Sequence, residues 1–140
     1  MRKIEPFDGG IVVVDKPAGW TSHDVVNRVR RLYDTRQVGH TGTLDPLATG
    51  VLAVLVGRAV KASEYLSAHD KCYEARFRLG VVSDTGDVTG SLTETGAPVP
   101  PAEAVLAAAL AMRGRQMQTP PMTSAVKVAG KKLVDYARAG

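Results

Sequence analysis

The spacing of apolar residues changes along the first third of the chain, and each spacing predicts a different element. The run GIVVV at 10–14 is continuously apolar and stops before Pro17, which is typical of a buried strand ended by proline. Within 25–33 the apolar residues recur every three or four positions, which predicts a helix with one apolar face. Thr21 and Asp24 stand at about the spacing of a capping box, so this helix should begin near Thr21.

The pattern downstream predicts alternating short strands and helices. VLAVLVG at 51–57 reads as a second buried strand, and 59–68 reads as a short helix. Residues 71–80, KCYEARFRLG, alternate strictly, which predicts a half-buried strand with one apolar face. The apolar positions of that face are Tyr73, Ala75, Phe77 and Leu79.

The second half is punctuated by turn formers. Residues 83–96 are rich in Asp, Thr, Ser and Gly, and we interpret them as a hairpin connection, because Asp84 and Asp87 do not have the spacing of a calcium loop. Pro100 and Pro101 should begin a helix that Gly114 closes. A short strand near 125–128, a turn at Gly130 and a helical stretch at about 131–139 follow. The expected fold class is α+β, with a mixed sheet rather than a regular βαβ array.

Composition limits the class of protein. At 140 residues with 44% apolar content, the chain is long enough for one globular domain. It has no run of about 18 apolar residues and no apolar stretch at its N-terminus, so we expect a cytoplasmic protein. A single cysteine, Cys72, and three scattered histidines make a zinc site improbable, so we expect no metal. The net charge of +4 is weak support for a nucleic-acid partner.

The segment GHTGTLDPLATG at 39–50 is predicted to be a loop, and it is the most constrained stretch of the chain. It lacks the Lys-Ser/Thr ending of a P-loop and the G-x-G-x-x-G spacing, and the chain has no G-x-S-x-G elbow. Its one acidic residue, Asp45, stands before a proline and among glycines, which could hold a carboxylate rigidly at the wall of a cleft. Asp45 could equally serve only to organise the turn. The residues alone leave both readings open.

Four blocks resemble, in order, the bacterial tRNA pseudouridine synthases that modify uridine 55 in the T-arm. GHTGTLDPLATG is similar to the catalytic motif of that family, and GIVVVDKPAGWTSHDVV to its N-terminal motif. KCYEARFRLGVVSDTGD resembles the family's tyrosine-bearing strand, and PPMTSAVKVAGKKLVDYARAG resembles its RNA-gripping insertion. The resemblance implies a largely antiparallel sheet flanked by helices, and a uridine-to-pseudouridine isomerase that needs no cofactor or metal.

The resemblance also assigns roles to residues. Asp45 corresponds to the catalytic aspartate, Tyr73 to the tyrosine that stacks on the flipped uridine, and His40 to the histidine beside that nucleotide. Lys16 and Pro17 should support the catalytic loop. The partner would be a tRNA T-arm bound by a monomer, with phosphate contacts from Lys127, Lys131 and Lys132. Arg28, Arg30 and Arg31 form a second basic group, which reads either as a solvated face or as a phosphate contact.

The chain departs from the family in two places. Met122-Thr123 and Val134 stand where aromatic residues are common in the RNA-gripping segment, placed near 115–140. Family members also continue past Gly140 with an arginine that pairs with the catalytic aspartate and with a C-terminal RNA-binding domain. We therefore expect residues 1–140 to be the N-terminal portion of the catalytic domain, and weakly active or inactive alone. A non-catalytic RNA-binding module is the competing reading.

Overall fold

The computed structural model describes residues 8–122, 124 and 126–137, without the side chains of Lys132, Val134 and Ala137. The chain divides into two compact units, of which the first ends at Tyr73 and the second begins at Glu74. Each unit has its own antiparallel strands, and each is described separately here.

The first unit is built on a three-stranded antiparallel sheet. Its strands are β1 (Gly9–Lys16), β2 (Val38–His40) and β3 (Gly50–Gly57), in the spatial order β1-β3-β2. The two strands predicted from continuous apolar runs are confirmed as β1 and β3. The prediction that a loop begins at Gly39 is wrong, because Gly39 and His40 pair with β3 as part of β2. Three residues are too few for an alternation to be visible in sequence.

The helix α1 (Ser22–Tyr33) packs its apolar face on this sheet and forms the core of the unit. The predicted apolar stripe is confirmed except at Leu32, which is 40% exposed. Tyr33 and Leu44 pack against the edge of the core. The fully buried apolar residues of this cluster are Val25, Val26, Val29, Val38, Leu52, Val54 and Val56.

The predicted capping box at the start of α1 is confirmed. Asp24 N–H donates to the Thr21 hydroxyl at 3.0 Å, and the Asp24 carboxylate accepts from the Thr21 hydroxyl at 2.6 Å and from the Thr21 N–H at 2.8 Å. These hydrogen bonds, from the Thr21 hydroxyl first and then the N–H, hold the pKa of Asp24 below its ordinary value. They satisfy donors that the first turn of a helix otherwise leaves without a partner.

We expect the capping box to weaken only in acid. A lowered pKa in the folded state means that the stabilisation is present above the unfolded pKa and is lost as the pH falls through the folded pKa of Asp24. An NMR titration of the Asp24 carboxyl carbon should therefore give a midpoint below that of an ordinary aspartate. In Thr21→Ala the midpoint should rise toward the ordinary value; a midpoint that does not move would assign the shift to another cause.

The segment after β3 is helical, as predicted for 59–68, but it is not one α-helix. A 3-10 helix covers Arg58–Ala62 and leads directly into the short helix α2 (Ser63–Ser67). Its residues are exposed or half-buried.

The half-buried strand predicted over 71–80 is wrong. Residues 70–78 have no regular secondary structure, and the predicted apolar face is in solvent, with Tyr73 65% exposed and Phe77 85% exposed. A strand needs a neighbouring strand for its backbone hydrogen bonds and a packed layer for its apolar face. Among the described residues, 70–78 have no neighbouring strand and no packed layer against their apolar face, so the alternating sequence does not form a strand.

The second unit consists of two hairpins and two helices. Strands β4 (Val81–Ser83) and β5 (Leu92–Glu94) confirm the predicted hairpin, and α3 (Ala102–Ala111) confirms the predicted helix after Pro101. Strands β6 (Lys127–Val128) and β7 (Lys131–Lys132) are joined by Ala129-Gly130, both at positive φ, and α4 (Leu133–Ala137) follows. The predicted end of that helix, at 138–139, lies outside the described residues.

The fold class is α+β, as predicted, and every strand pairing described is antiparallel. Buried side chains occur only in the first unit within the described range. None of the helices described is long and apolar enough to cross a membrane.

Candidate active-site loop

The loop that carries Asp45 connects β2 to β3 and occupies 41–49. Because Lys16, the last residue of β1, pairs with Gly50, the first residue of β3, the loop leaves the sheet beside the end of β1. The turn between β1 and α1 reaches the same end of the sheet. Two other segments of the first unit, the end of β1 and the β1–α1 turn, therefore lie beside the candidate loop.

Backbone hydrogen bonds fix the loop at Asp45 and directly after it. The Gly19 N–H donates to the Pro46 carbonyl at 2.7 Å, and the Ala48 N–H donates to the Asp45 carbonyl at 3.0 Å. Gly19 has a φ of +81°, a conformation that a side chain disfavours, so the β1–α1 turn can present this N–H to the loop only with glycine there.

Lys16 connects the loop to the β1–α1 turn through hydrogen bonds from its ammonium group. Its side chain has no solvent exposure, and its ammonium donates to the carbonyls of Trp20 at 2.6 Å, Pro17 at 3.0 Å and Pro46 at 3.4 Å. A lysine ammonium has three N–H donors, so these three carbonyls match its donor capacity. No carboxylate of the described residues lies within 4 Å of it. Lys16 thus bonds to both the β1–α1 turn and the loop, and Pro17 supplies one of the accepting carbonyls. That these two residues support a catalytic loop stays a prediction.

The residue before Asp45 is held by a serine. The Leu44 N–H donates to the Ser22 hydroxyl at 2.9 Å, and that hydroxyl donates to the Leu44 carbonyl at 3.2 Å. Ser22 was not singled out from the sequence, because a serine at the first position of a helix has many ordinary explanations. Only the tertiary structure shows that it faces the loop.

The Asp45 side chain is exposed while the main chain around it is fixed. Among the described residues its carboxylate accepts no hydrogen bond and has no ion pair. The turn is closed by the Asp45 carbonyl rather than by the side chain, so turn formation gives no account of the carboxylate. The Asp45 carboxylate is therefore exposed on a main chain held by hydrogen bonds, and it is available to a ligand.

His40 and Tyr73 lie in the same unit as Asp45. His40 ends β2 and is half-buried, and its Nδ1 is buried with no hydrogen-bond partner among the described residues. Tyr73 lies two residues beyond Lys71, whose Cε approaches Gly42 so closely that a Cβ there would sit 3.4 Å away. The Lys71 side chain therefore reaches the loop, while the Tyr73 side chain is exposed.

The predicted basic residues are in three different situations. Lys127 and Lys131 are exposed on the β6–β7 hairpin of the second unit, and Lys131 Nζ lies 4.7 Å from the centre of the Tyr136 ring. The Lys132 side chain is not among the described side chains, and Thr123 is not among the described residues. Arg30 is not on a solvated face, because its guanidinium donates to Asn27 Oδ1 at 3.1 Å and to the Val38 carbonyl at 3.4 Å. Arg28 and Arg31 are exposed.

A cation-lined cavity was missed in the sequence. It has a volume of about 420 Å³ and lies where β3 ends, so its basic residues come from two separate segments. Along β3 it lies about 23 Å from the end that carries the Asp45 loop, at roughly 3.3 Å per residue. The pattern of single basic residues at 36, 58 and 61 gives no local signal. The lining residues are Arg36, Gln37, Val38, Gly57, Arg58, Val60 and Lys61.

The described residues place no group of three or more His, Cys, Asp or Glu side chains where they could hold a metal ion. The loop offers a carboxylate, hydroxyls and backbone donors instead. Such a site suits nucleophilic or proton-transfer chemistry carried out by one carboxylate.

Comparison with known proteins gives consistent matches. Residues 30–140 match the family model described as TruB family pseudouridylate synthase, N-terminal domain. The chain is 51% identical to the tRNA pseudouridine synthase B of Gluconacetobacter diazotrophicus over 139 residues, which are 99% of this chain and 45% of that protein. It is 54% identical over 136 residues to the protein of that name from Thermobifida fusca, covering 94% of this chain and 45% of that protein.

The relative from Bacillus licheniformis, also a tRNA pseudouridine synthase B, is 51% identical over 134 residues, which are 94% of this chain and 43% of that protein. The chain thus spans a little less than half the length of each of these three relatives.

Proposed function

Because this chain belongs to the TruB family of pseudouridylate synthases, we propose that it carries the catalytic carboxylate, Asp45, of an enzyme that converts uridine to pseudouridine in tRNA. The observation that carries this proposal is the geometry of the loop, in which an exposed carboxylate stands on a main chain fixed on both sides. We further propose uridine 55 of the T-arm as the target. Residues 1–140 then form the N-terminal portion of the catalytic domain, with the RNA-gripping insertion near 115–140.

The proposed reaction is an isomerisation, so it needs no net oxidant or co-reactant. The bond between N1 and C1′ of the uridine breaks, the base turns, and C5 bonds to C1′. The hydrogen on C5 leaves as a proton, and N1 gains a proton. An ionised carboxylate serves this reaction either as a nucleophile at C1′ or as a base at C2′, and an aspartate is ionised at neutral pH.

The target base must leave its stack before it can reach the loop. A uridine in a folded RNA arm is stacked on its neighbours, and enzymes that act on such bases turn them out of the helix. We propose that Tyr73 stacks on the turned-out uracil, since its ring is exposed and the side chain of Lys71, two residues before it, reaches the loop. Stacking of a base on an aromatic side chain is worth about 1–3 kcal/mol. His40 would lie beside the same nucleotide, where its buried Nδ1 lacks a partner among the described residues.

RNA binding would come from basic residues outside the loop. The cavity with Arg36, Arg58 and Lys61 provides three cations around an opening, and Lys127 and Lys131 are exposed on the second unit. Phosphate contacts of this kind add affinity without base specificity and weaken as salt concentration rises. We propose that the cavity binds a phosphate of the RNA away from the reacting nucleotide. A monomer acting on tRNA in the cytoplasm is the setting that we propose.

Neutralising one cation of the cavity should weaken RNA binding uniformly. In Arg36→Gln we expect affinity for a T-arm stem-loop to fall by about five- to tenfold at low salt, and the slope of log affinity against log salt to fall by about 1. Arg31→Gln, an exposed arginine outside the cavity, is the matched control and should stay within about twofold of the parent. Equal losses in both variants would show that the cavity has no special role.

Tritium release tests the proposed reaction directly. A T-arm stem-loop carrying tritium at C5 of its uridine loses the label only when the new carbon–carbon bond replaces the C5 hydrogen. The assay should be run with this chain, and with a chimera in which the chain replaces the matching N-terminal portion of its Thermobifida fusca relative. Release by the chimera supports the proposal, and no release by a folded chimera contradicts it. We expect the chain alone to show little or no turnover.

A further inference from the structure

Both polar main-chain groups of Leu44 are paired with a single side-chain hydroxyl. The Leu44 N–H donates to Ser22 Oγ at 2.9 Å, and Ser22 Oγ donates to the Leu44 carbonyl at 3.2 Å. A hydroxyl has one donor and two acceptor positions, so it can make both bonds at once. The residue immediately before Asp45 is thereby fixed in its peptide planes on either side.

Ser22 is itself held firmly. It is 3% exposed and is the first residue of α1, directly after the Thr21 cap. Three and four residues further on, Val25 and Val26 anchor the helix in the core. Because Ser22 is buried, water cannot readily take the place of its hydroxyl. The serine therefore holds the main chain of Leu44 in a fixed position relative to α1.

We infer that Ser22 is a positioning residue for Asp45, which holds the catalytic carboxylate in place through the main chain of Leu44. This inference rests on the proposed function. After Asp45, Pro46 has a fixed φ and its carbonyl is bonded to Gly19 and Lys16. Before Asp45, the Ser22 hydroxyl makes the only side-chain hydrogen bonds to the loop main chain found in the described residues. Without it, the described residues show no hydrogen bond to the loop main chain between Thr41, whose N–H donates to the Ala53 carbonyl, and Asp45.

A purely structural role would predict something different. If Ser22 only stabilised the start of α1, then loss of the neighbouring cap, Thr21, would have the same effect on the loop. The Thr21 hydroxyl bonds to Asp24 and makes no contact with Leu44 that the structure describes. Thr21→Ala is therefore a matched control, since it weakens the same helix end and leaves the Ser22–Leu44 pair in place.

The first test measures the loop in the free chain. In Ser22→Ala, hydrogen exchange at the Leu44 amide should speed up at least about tenfold, and the NMR order parameter of the Asp45 amide should fall from about 0.85 toward 0.6. Amides of β3 should be unchanged, which shows that the unit is still folded. Ser22→Thr keeps the hydroxyl and should restore both values. Unchanged Leu44 and Asp45 amides in Ser22→Ala, or equal changes in Thr21→Ala, would overturn the inference.

The second test measures turnover in the chimera. Ser22→Ala should lower kcat for tritium release by about tenfold to a hundredfold, with KM within about twofold, because small displacements of a reacting group slow the chemical step. Thr21→Ala should keep kcat within about twofold. A loss in KM alone, or none at all, would contradict a positioning role. If the parent chimera releases no tritium, the proposed function fails, while the amide measurements still decide whether Ser22 fixes Asp45.

Discussion

Asp45→Asn should reduce tritium release from a C5-labelled T-arm RNA by at least about a thousandfold, a loss typical of removing a reacting side chain. Asparagine has nearly the same size as aspartate and can occupy the same exposed position on the loop. It is neutral, however, so it can neither attack C1′ nor take a proton from C2′. The loop backbone should not change, because its hydrogen bonds use the Asp45 carbonyl and not the carboxylate.

RNA affinity should stay within about twofold in the same variant, since removal of a reacting group that does not bind the ground state alters kcat alone. Asp70→Asn is the control for the charge change, because Asp70 is an exposed aspartate of the same unit outside the loop. It should have parental turnover. An Asp45→Asn variant with parental turnover would exclude the catalytic role. The result also separates the two classes of function, since a module that only binds RNA has no turnover to lose.

The parts of the fold that sequence predicted correctly are those in which local pattern and packing agree. For α1, the capping box, the apolar stripe and the strand it covers all point to the same structure, so its start was found to within a residue. β1 and β3 are continuous apolar runs because both belong to the packed sheet. The prediction for 71–80 rested on alternation alone, and alternation gives a strand only where a partner strand is present.

The candidate site divides in the same way. Asp45 could be identified because this single acidic residue and the glycines and proline around it all lie in one short segment of the sequence. The groups that fix it come from elsewhere: Ser22 is 22 positions before Leu44, and Lys16 is 30 positions before Pro46. Every residue has a main-chain carbonyl, so the residue type does not show which carbonyl will accept a hydrogen bond. Only the tertiary structure determines that. The cavity was hidden for the same reason, since Arg36 and Lys61 meet only across the sheet edge.

Lys16→Met should destabilise the first unit by about 2–4 kcal/mol, because a fully buried carbonyl left without its donor costs about 1–3 kcal/mol and the ammonium serves three carbonyls that are each part-buried. Methionine matches the length of the lysine stem and fills its fully buried position. Relief from burying a charge offsets part of the loss. Pro46 keeps its bond from Gly19, so the turn 17–20 should suffer more than the loop.

Urea unfolding followed by tryptophan fluorescence measures this loss where it occurs. Trp20 is the single tryptophan, and its carbonyl accepts the shortest hydrogen bond from Lys16. The matched control is Lys71→Met, because Lys71 also donates to two carbonyls, of Ser67 and His69, but from an exposed position. Water can replace an exposed lysine, so the control should change stability by less than about 0.5 kcal/mol. Equal losses of stability in the two variants would mean that the Lys16 hydrogen bonds do not stabilise the loop. The buried Lys16 side chain would then contribute through packing alone.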